Sequence, residues 1–365
     1  MDPTRLPPLI RNRHAAHALR CLSGLAMAQI EAETARLTLA FYCINMLDLL
    51  GVLDSKVKES EREDWRQWIW NQQISGVHGA GFRPGPSTAI GGITGNETPN
   101  PASHCDQPHL VMTYTALISL SILRDDFGKL DRDGILRCLR AAQKEDGSFT
   151  PTPGWGESDV RLVYCAFIIS YLLNDWSGFD VPRAIDFVRR CRSYEGGYGQ
   201  TPGNEAQGGS TYCCVASLAL ASSTYPEAQL SEAEKERSIR WLTQRQTGGF
   251  QGRTEKTQDA CYSFWCGAAL SILGAGDFVD RKKNSEFLAA CQFKFGGIAK
   301  FPDETPDPFH SYLSLASLSI YPPDVHEESE DKESWMLPKL DPLVNSRVET
   351  AQWAREHVPR KGSVA

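Results

Sequence analysis

The sequence predicts an all-α protein, an α/α barrel of about six helical hairpins closed into one ring. Three observations carry this expectation. Glycine turns recur at Gly147, Gly196, Gly248 and Gly296, spaced 49, 52 and 48 residues apart. The segments before and after each turn alternate in character. The segments after the turns also begin alike, on an aspartate.

Each repeat has one plan: a helix, a glycine turn closing on a large apolar residue, a polar loop, and a second helix. The turns read Gly147-Ser148-Phe149, Gly196-Gly197-Tyr198, Gly248-Gly249-Phe250 and Gly296-Gly297-Ile298. A fifth copy is expected at Gly81-Phe82, before a Gly/Pro-rich insertion over about 83–108. Glycine suits these turns because positive φ costs it little. The helix before a turn is amphipathic, as in Ser231 to Gln246. The helix after it is apolar nearly all round, as in Cys261 to Leu273 and Ser311 to Ile320. A helix apolar on every side is buried. Each hairpin therefore has an outer and an inner helix, and a fully apolar inner layer favours a closed ring over an open solenoid.

Asp159, Asp259 and Asp307 fall 12, 11 and 11 residues after the glycines at 147, 248 and 296. Aspartate caps a helix N-terminus, and Pro308 fits the first helical position. In a closed ring the inner N-termini converge on one rim, where their partial positive charges favour an anion. One barrel domain is expected over 1–321, with a partly irregular, Pro-rich and acidic extension over 322–365.

Composition narrows the function. A formal net charge of −7 argues against broad nucleic-acid binding. No run of eighteen apolar residues offers a membrane span. The start, Met1-Asp2-Pro3-Thr4-Arg5, lacks the apolar core of a signal peptide. The chain has 11 cysteines, and Cys165, Cys213, Cys214, Cys266 and Cys291 sit inside apolar helical patterns. Such thiols read as small hydrophobes in a reducing compartment, so a cytoplasmic location is expected.

Asp259 and Cys261 open one inner helix. His310 opens the next, close to one repeat length later. Carboxylate, thiolate and imidazole form a zinc-competent set, and three protein ligands leave a fourth position open for catalysis. Taken singly, Asp259 reads as a cap, Cys261 as a buried hydrophobe and His310 as a satisfied histidine. Their shared register favours the metal. Arg253 and Lys256, with Tyr262 one turn inside the helix, are a cationic group suited to a diphosphate or a solvated loop. Lys300 adds a cation in the equivalent loop of the next repeat. Tyr164, Tyr212, Phe264, Trp265 and Tyr312 are core residues or, in a closed barrel, the wall of a central cavity.

The segments Gly248-Gly249-Phe250-Gln251-Gly252-Arg253 through Asp259-Ala260-Cys261-Tyr262-Ser263-Phe264-Trp265, and Asp307-Pro308-Phe309-His310-Ser311, resemble the protein prenyltransferase β subunits. The resemblance runs from about Arg13 to Tyr321. It implies an α/α barrel and zinc held by Asp259, Cys261 and His310. Within the family the chain is most similar to the type I geranylgeranyltransferases. Thr38 stands where a farnesyltransferase has tryptophan, which deepens the lipid tunnel. Lys300 stands where a farnesyltransferase has a magnesium-binding aspartate, so Mg²⁺ is not expected to be required. Trp176-Ser177-Gly178-Phe179-Asp180 and Ser193-Tyr194 match the linker between repeats. Gln207 stands where the family usually has histidine; its amide donates without charge.

The resemblance implies geranylgeranyl diphosphate (GGPP) as donor. It implies an acceptor with a C-terminal Cys-a-a-X box, X typically leucine, such as a Rho-type small GTPase, and an α subunit completing a heterodimer. Arg253, Lys256, Tyr262 and Lys300, with Gln207, would hold the diphosphate. Thr38, Arg161, Tyr164, Tyr212, Cys213 and Trp265 would line the tunnel, or Arg161 would steer the acceptor. Two readings stay open inside the family, a farnesyltransferase and a Rab-type β subunit. A terpenoid cyclase would need Asp-x-Asp-Asp, which Asp131-Arg132-Asp133-Gly134 does not match. A non-catalytic helical-repeat module is the reading from another class.

Overall fold

A computed structural model describes residues 6–24, 32–86, 107–324 and 332–358. Most of the predicted insertion (87–106) and most of the acidic run (325–331) lie outside the described residues. In chain order the helices are α1 (Arg11–Ser23), α2 (Arg36–Leu49), α3 (Leu53–Lys56), α4 (Glu59–Trp70), α5 (Leu110–Ile122), α6 (Arg132–Ala142), α7 (Val160–Leu173), α8 (Val181–Arg190), α9 (Gly208–Ala221), α10 (Glu232–Thr243), α11 (Ala260–Ile272), α12 (Arg281–Ala290), α13 (Pro308–Ile320), α14 (Lys332–Trp335) and α15 (Val348–His357). Two short antiparallel hairpins, β1 (Gln73–Gly76) with β2 (Gly79–Phe82) and β3 (Leu340–Asp341) with β4 (Ser346–Arg347), complete the fold.

The ring closes. Among the inner helices α2 packs on α5, α5 on α7, α7 on α9, α9 on α11, α11 on α13, and α13 back on α2. These helices are buried along most of their length, and α7 shields twelve of its fourteen residues. The outer helices bury one stripe only. In α8, Val181, Ala184, Ile185, Phe187 and Val188 face inward. Phe82, Phe149, Tyr198, Phe250 and Ile298, the apolar residues closing the turns, are all buried. Each such side chain contributes roughly 1.5–3 kcal/mol, which fixes each turn against the ring.

Three of the turns take glycine for the expected reason and for a second one. Gly147, Gly196 and Gly296 have φ of +90°, +107° and +98°. A Cβ there would also sit 2.2, 2.5 and 1.9 Å from the carbonyl oxygens of Arg183, Arg237 and Arg13. Each turn thus presses on the next outer helix. The Gly248 turn differs, since neither of its glycines has positive φ. There the limit is steric, because a Cβ on Gly249 would lie 2.2 Å from the Phe287 ring. Gly81 lies inside β2, and the positive φ in that hairpin belongs to Gly79.

The contact between Gly296 and Arg13 explains the small residues Ala15 and Ala18 of α1. It makes α1 the sixth outer helix, seated where the ring returns on itself. Ala15 and Ala18 are fully buried, and their small side chains allow the approach. His14 locks it: its Nδ1 accepts from Gly297 N at 3.0 Å, and its Nε2 lies 3.0 Å from Gln292 Oε1.

The described residues of the C-terminal extension, partly irregular between short elements, dock on the ring. Helix α15 packs on α5 and α7. Arg347 Nη1 lies 2.9 Å from Asp48 Oδ1, and Thr350 Oγ1 donates to Asp48 Oδ2 at 2.9 Å. The sequence hides this because the anchors are scattered polar residues with no period.

Candidate active site

Four of the inner helices, α7, α9, α11 and α13, are capped by the side chain at the repeat-register position. Asp159 accepts from Arg161 N, Gln207 from Ser210 N, Asp259 from Cys261 N and Asp307 from His310 N, at 2.8–3.0 Å. All of these helices start at one mouth. Below it lies a cavity of about 860 Å³, within the usual size for a small-molecule site. Asp259, Cys261, Tyr262, Lys300, His310, Gln207, Asp159 and Arg161 line its mouth and upper wall. Phe41, Tyr42, Tyr114, Tyr164, Tyr212, Trp265 and Phe309 supply aromatic walls. Thr38, Cys165 and Cys213 line it too, and Asn345 is its contribution from the tail.

The expected triad converges. Ligand atoms of Asp259, Cys261 and His310 all lie within 4.8 Å of one another, a group able to hold a metal ion. His310 Nε2 is 3.4 Å from Asp259 Oδ1. The other ring nitrogen, Nδ1, lies 2.6 Å from Asp307 Oδ2. Asp307 therefore does two jobs: one oxygen caps α13 and the other orients the imidazole. Sequence reading saw only the cap. The signal available was an aspartate three residues before a candidate ligand histidine.

The electrostatics of the group suit a cation. Burial alone would raise the Asp259 carboxyl. Hydrogen bonds from His310 and the Cys261 backbone outweigh it and hold the carboxyl below its ordinary range. Burial works against a charged His310, yet Asp259 and Asp307 push the imidazole up to about 9. Burial, then the Asp259 carboxylate, pushes the Cys261 thiol well up. A carboxylate and a thiol thus meet the imidazole at one position, and a proton on His310, held between Asp259 and Asp307, offsets part of the negative charge there. A divalent cation would take over that role, with neutral imidazole and ionised thiol as its ligands. The donor set fits zinc.

The cations are arranged in two groups. Lys300 Nζ lies 3.9 Å from Asp259 Oδ2, beside the triad. Tyr262 OH accepts from Gln207 Nε2 at 2.9 Å. The loop before α11 packs on Tyr262 so closely that a Cβ on Gly252 would lie 2.1 Å from its ring. Arg253 and Lys256 stand on that loop but do not line the cavity; both are exposed, and Arg253 Nη1 pairs with Glu205 at 3.3 Å.

The tunnel candidates Thr38, Arg161, Tyr164, Tyr212, Cys213 and Trp265 all line the cavity. Trp265 lies 5.1 Å from Tyr212, centroid to centroid, and 6.3 Å from Phe309. Thr38 Oγ1 contacts Met112 Sδ at 3.3 Å. Arg161 is clamped on Asp159 through Nη2 at 2.6 Å and Nε at 3.1 Å, and its side chain is 64% exposed. That exposure places it at the mouth.

Sequence reading did not find the floor. Tyr114, Tyr164, Tyr212 and Tyr312 donate their hydroxyls to the carbonyl oxygens of Val344, Leu343, Pro342 and Asn345, at 3.0, 2.8, 2.8 and 2.7 Å. Backbone acceptors leave no mark in a sequence.

The comparisons agree with this geometry. The family model of the prenyltransferase alpha-alpha toroid domain matches residues 9–346, which reaches the β3–β4 hairpin of the tail and stops before α15. A geranylgeranyl transferase type-1 subunit beta of Arabidopsis thaliana is 36% identical over 322 residues, 85% of this chain and 84% of that protein. Its Dictyostelium discoideum counterpart is 36% identical over 315 residues, 82% of this chain and 88% of that protein. The solved structure of Candida albicans protein geranylgeranyltransferase-I complexed with GGPP superposes with a TM-score of 0.82 at 28% identity, covering 96% of this chain and all of that one. This chain belongs to the prenyltransferase alpha-alpha toroid family and groups there with the β subunits of the type I geranylgeranyltransferases.

Proposed function

We propose that the chain is the catalytic β subunit of a zinc-dependent protein geranylgeranyltransferase of type I. It would transfer the geranylgeranyl group from GGPP to the cysteine thiol of a C-terminal Cys-a-a-X box. The observation that carries this reading is the triad Asp259, Cys261 and His310, gathered at the mouth of an aromatic cavity. The Arabidopsis and Dictyostelium relatives carry that activity in their names. The partner is an α subunit, and acceptors of the Rho type, with leucine as X, fit the same reading.

Asp259, Cys261 and His310 would hold zinc, with Asp307 fixing the histidine. Zinc supplies a cation that lets an acceptor thiol ionise at neutral pH. The chain's own residues do the rest. The aromatic walls take the isoprenoid and exclude water from it. The diphosphate sits at the mouth, where Lys300 and Tyr262 face it and Gln207 holds the Tyr262 hydroxyl. Arg253 and Lys256 lie one loop away and complete the charge from the solvent side. As the bond from C1 to the diphosphate oxygen breaks and the thiolate bonds C1, negative charge gathers on the leaving group. Fixed cations aimed at that charge lower the barrier. Lys300 stands in for a metal at this position, so Mg²⁺ is not required. Arg161 at the mouth is placed to meet the acceptor peptide.

Co-expression with a matching α subunit, followed by a donor and peptide panel, tests the reading. Transfer from GGPP to peptides ending in leucine, ahead of farnesyl transfer, is expected. Preference for the farnesyl donor, or no transfer at all, would overturn it.

A further inference from the structure

The tail reaches the cavity at Asn345, the last residue of a loop that is tied to the ring. Four consecutive carbonyls, Pro342 to Asn345, accept from tyrosines on α9, α7, α5 and α13. Asp341 Oδ1 stiffens the same loop by accepting from Leu343 N at 2.9 Å and Val344 N at 3.3 Å. Outside the cavity, Ser346 Oγ lies 3.1 Å from Asn45 Oδ1, while Arg347 grips Asp48. The loop can neither sink nor rise without breaking hydrogen bonds to several helices.

The arrangement has two chemical consequences. The phenol hydroxyls are spent on the floor, so the rings offer hydrocarbon to a ligand. The floor then ends in one side chain. Asn345 is buried, lines the cavity, and its Oδ1 has no hydrogen-bond partner among the described residues. Its backbone is left-handed, with φ of +54°. Asparagine tolerates that conformation far better than a branched or bulky apolar residue would.

We propose that the Pro342–Asn345 loop is the stop for the distal end of the isoprenoid, and that the Asn345 side chain is a determinant of donor chain length. The assignment rests on the geranylgeranyl transfer proposed above and names which part of the chain limits that substrate. A donor one isoprene unit longer is refused because a floor pinned by four hydroxyls cannot yield, and overpacking a fixed wall is costly.

Two variants test it, both in the heterodimer with its α subunit. Asn345→Gly removes the side chain at a φ glycine accepts freely. Asn345→His enlarges it with a residue that also tolerates positive φ. Farnesyl, geranylgeranyl and geranylfarnesyl diphosphates, with fifteen, twenty and twenty-five carbons, are compared by kcat/KM against one peptide. Asn345→Gly should raise the twenty-five-carbon donor relative to the twenty-carbon one by about tenfold. Asn345→His should lower the twenty-carbon donor relative to the fifteen-carbon one by a similar factor. Ratios unchanged in both variants, with the wild type active on the twenty-carbon donor, overturn the floor assignment alone. A wild type inactive on every donor overturns the transfer reading and the assignment with it.

Discussion

Asp307 holds His310 at 2.6 Å through the ring nitrogen opposite the one that faces Asp259. An imidazole so held has one tautomer as a ligand and a fixed ring plane. Asp307→Asn keeps an oxygen for the α13 cap but loses the charge on the ring. The expected result is a zinc affinity about 10–100-fold weaker, with the melting temperature little changed. Chelator competition on the purified heterodimer reads it. An affinity equal to wild type would show that the contact does not tune the ligand.

Thr38 lines the cavity wall against Met112. Tryptophan there would fill space now open to the isoprenoid. Thr38→Trp should move the ratio of farnesyl to geranylgeranyl kcat/KM toward farnesyl by about tenfold or more. Donor competition measures it, and an unmoved ratio would remove Thr38 from the tunnel.

Lys300 places an ammonium 3.9 Å from Asp259 at the mouth. Lys300→Asp exchanges that cation for a carboxylate, a hard ligand suited to magnesium. The variant should be slow without Mg²⁺ and recover as Mg²⁺ is added, whereas wild type stays flat. A flat titration in the variant would contradict the substitution of ammonium for metal.

His14 closes the ring and does so as a neutral imidazole. Burial is the largest cause of its depressed pKa, with the nearby His17 acting in the same direction and the Gln292 bond opposing; the result is about 4, against 6.5 for a free histidine. A group depressed on folding stabilises the fold above its unfolded pKa, and that contribution is lost as pH falls. The window runs from about 6.5 down to about 4, and the full contribution is roughly 3 kcal/mol. The hydrogen-exchange protection factors of the α1 amides, corrected for intrinsic exchange, should therefore fall as pH drops through this window. His14→Gln should flatten that dependence. Equal pH dependence in both proteins would place the closure elsewhere.

The legible parts of the fold were those written in periodicity. The glycine turns, the aspartate caps and the apolar inner helices follow from repeating chemistry along the chain, and the triad followed because its members share the repeat register. What stayed hidden was non-periodic. Asp307 was fully explained as a cap, so its second oxygen drew no question. Helix α1 carries three alanines among mostly polar residues, which mark closeness without saying to what. The floor uses main-chain carbonyls, common to every residue, and only coordinates bring Pro342 to Asn345 under four tyrosines. The Gly248 turn looked like its relatives, yet its second glycine, Gly249, answers to the Phe287 ring and not to φ.

Metal analysis of the purified heterodimer tests the central claim most directly. Wild type should carry one zinc per β subunit, and Asp259→Ala, Cys261→Ala and His310→Ala should each lose it together with turnover, while the heterodimer still assembles. Full zinc content in all three variants would contradict the site on which the account stands.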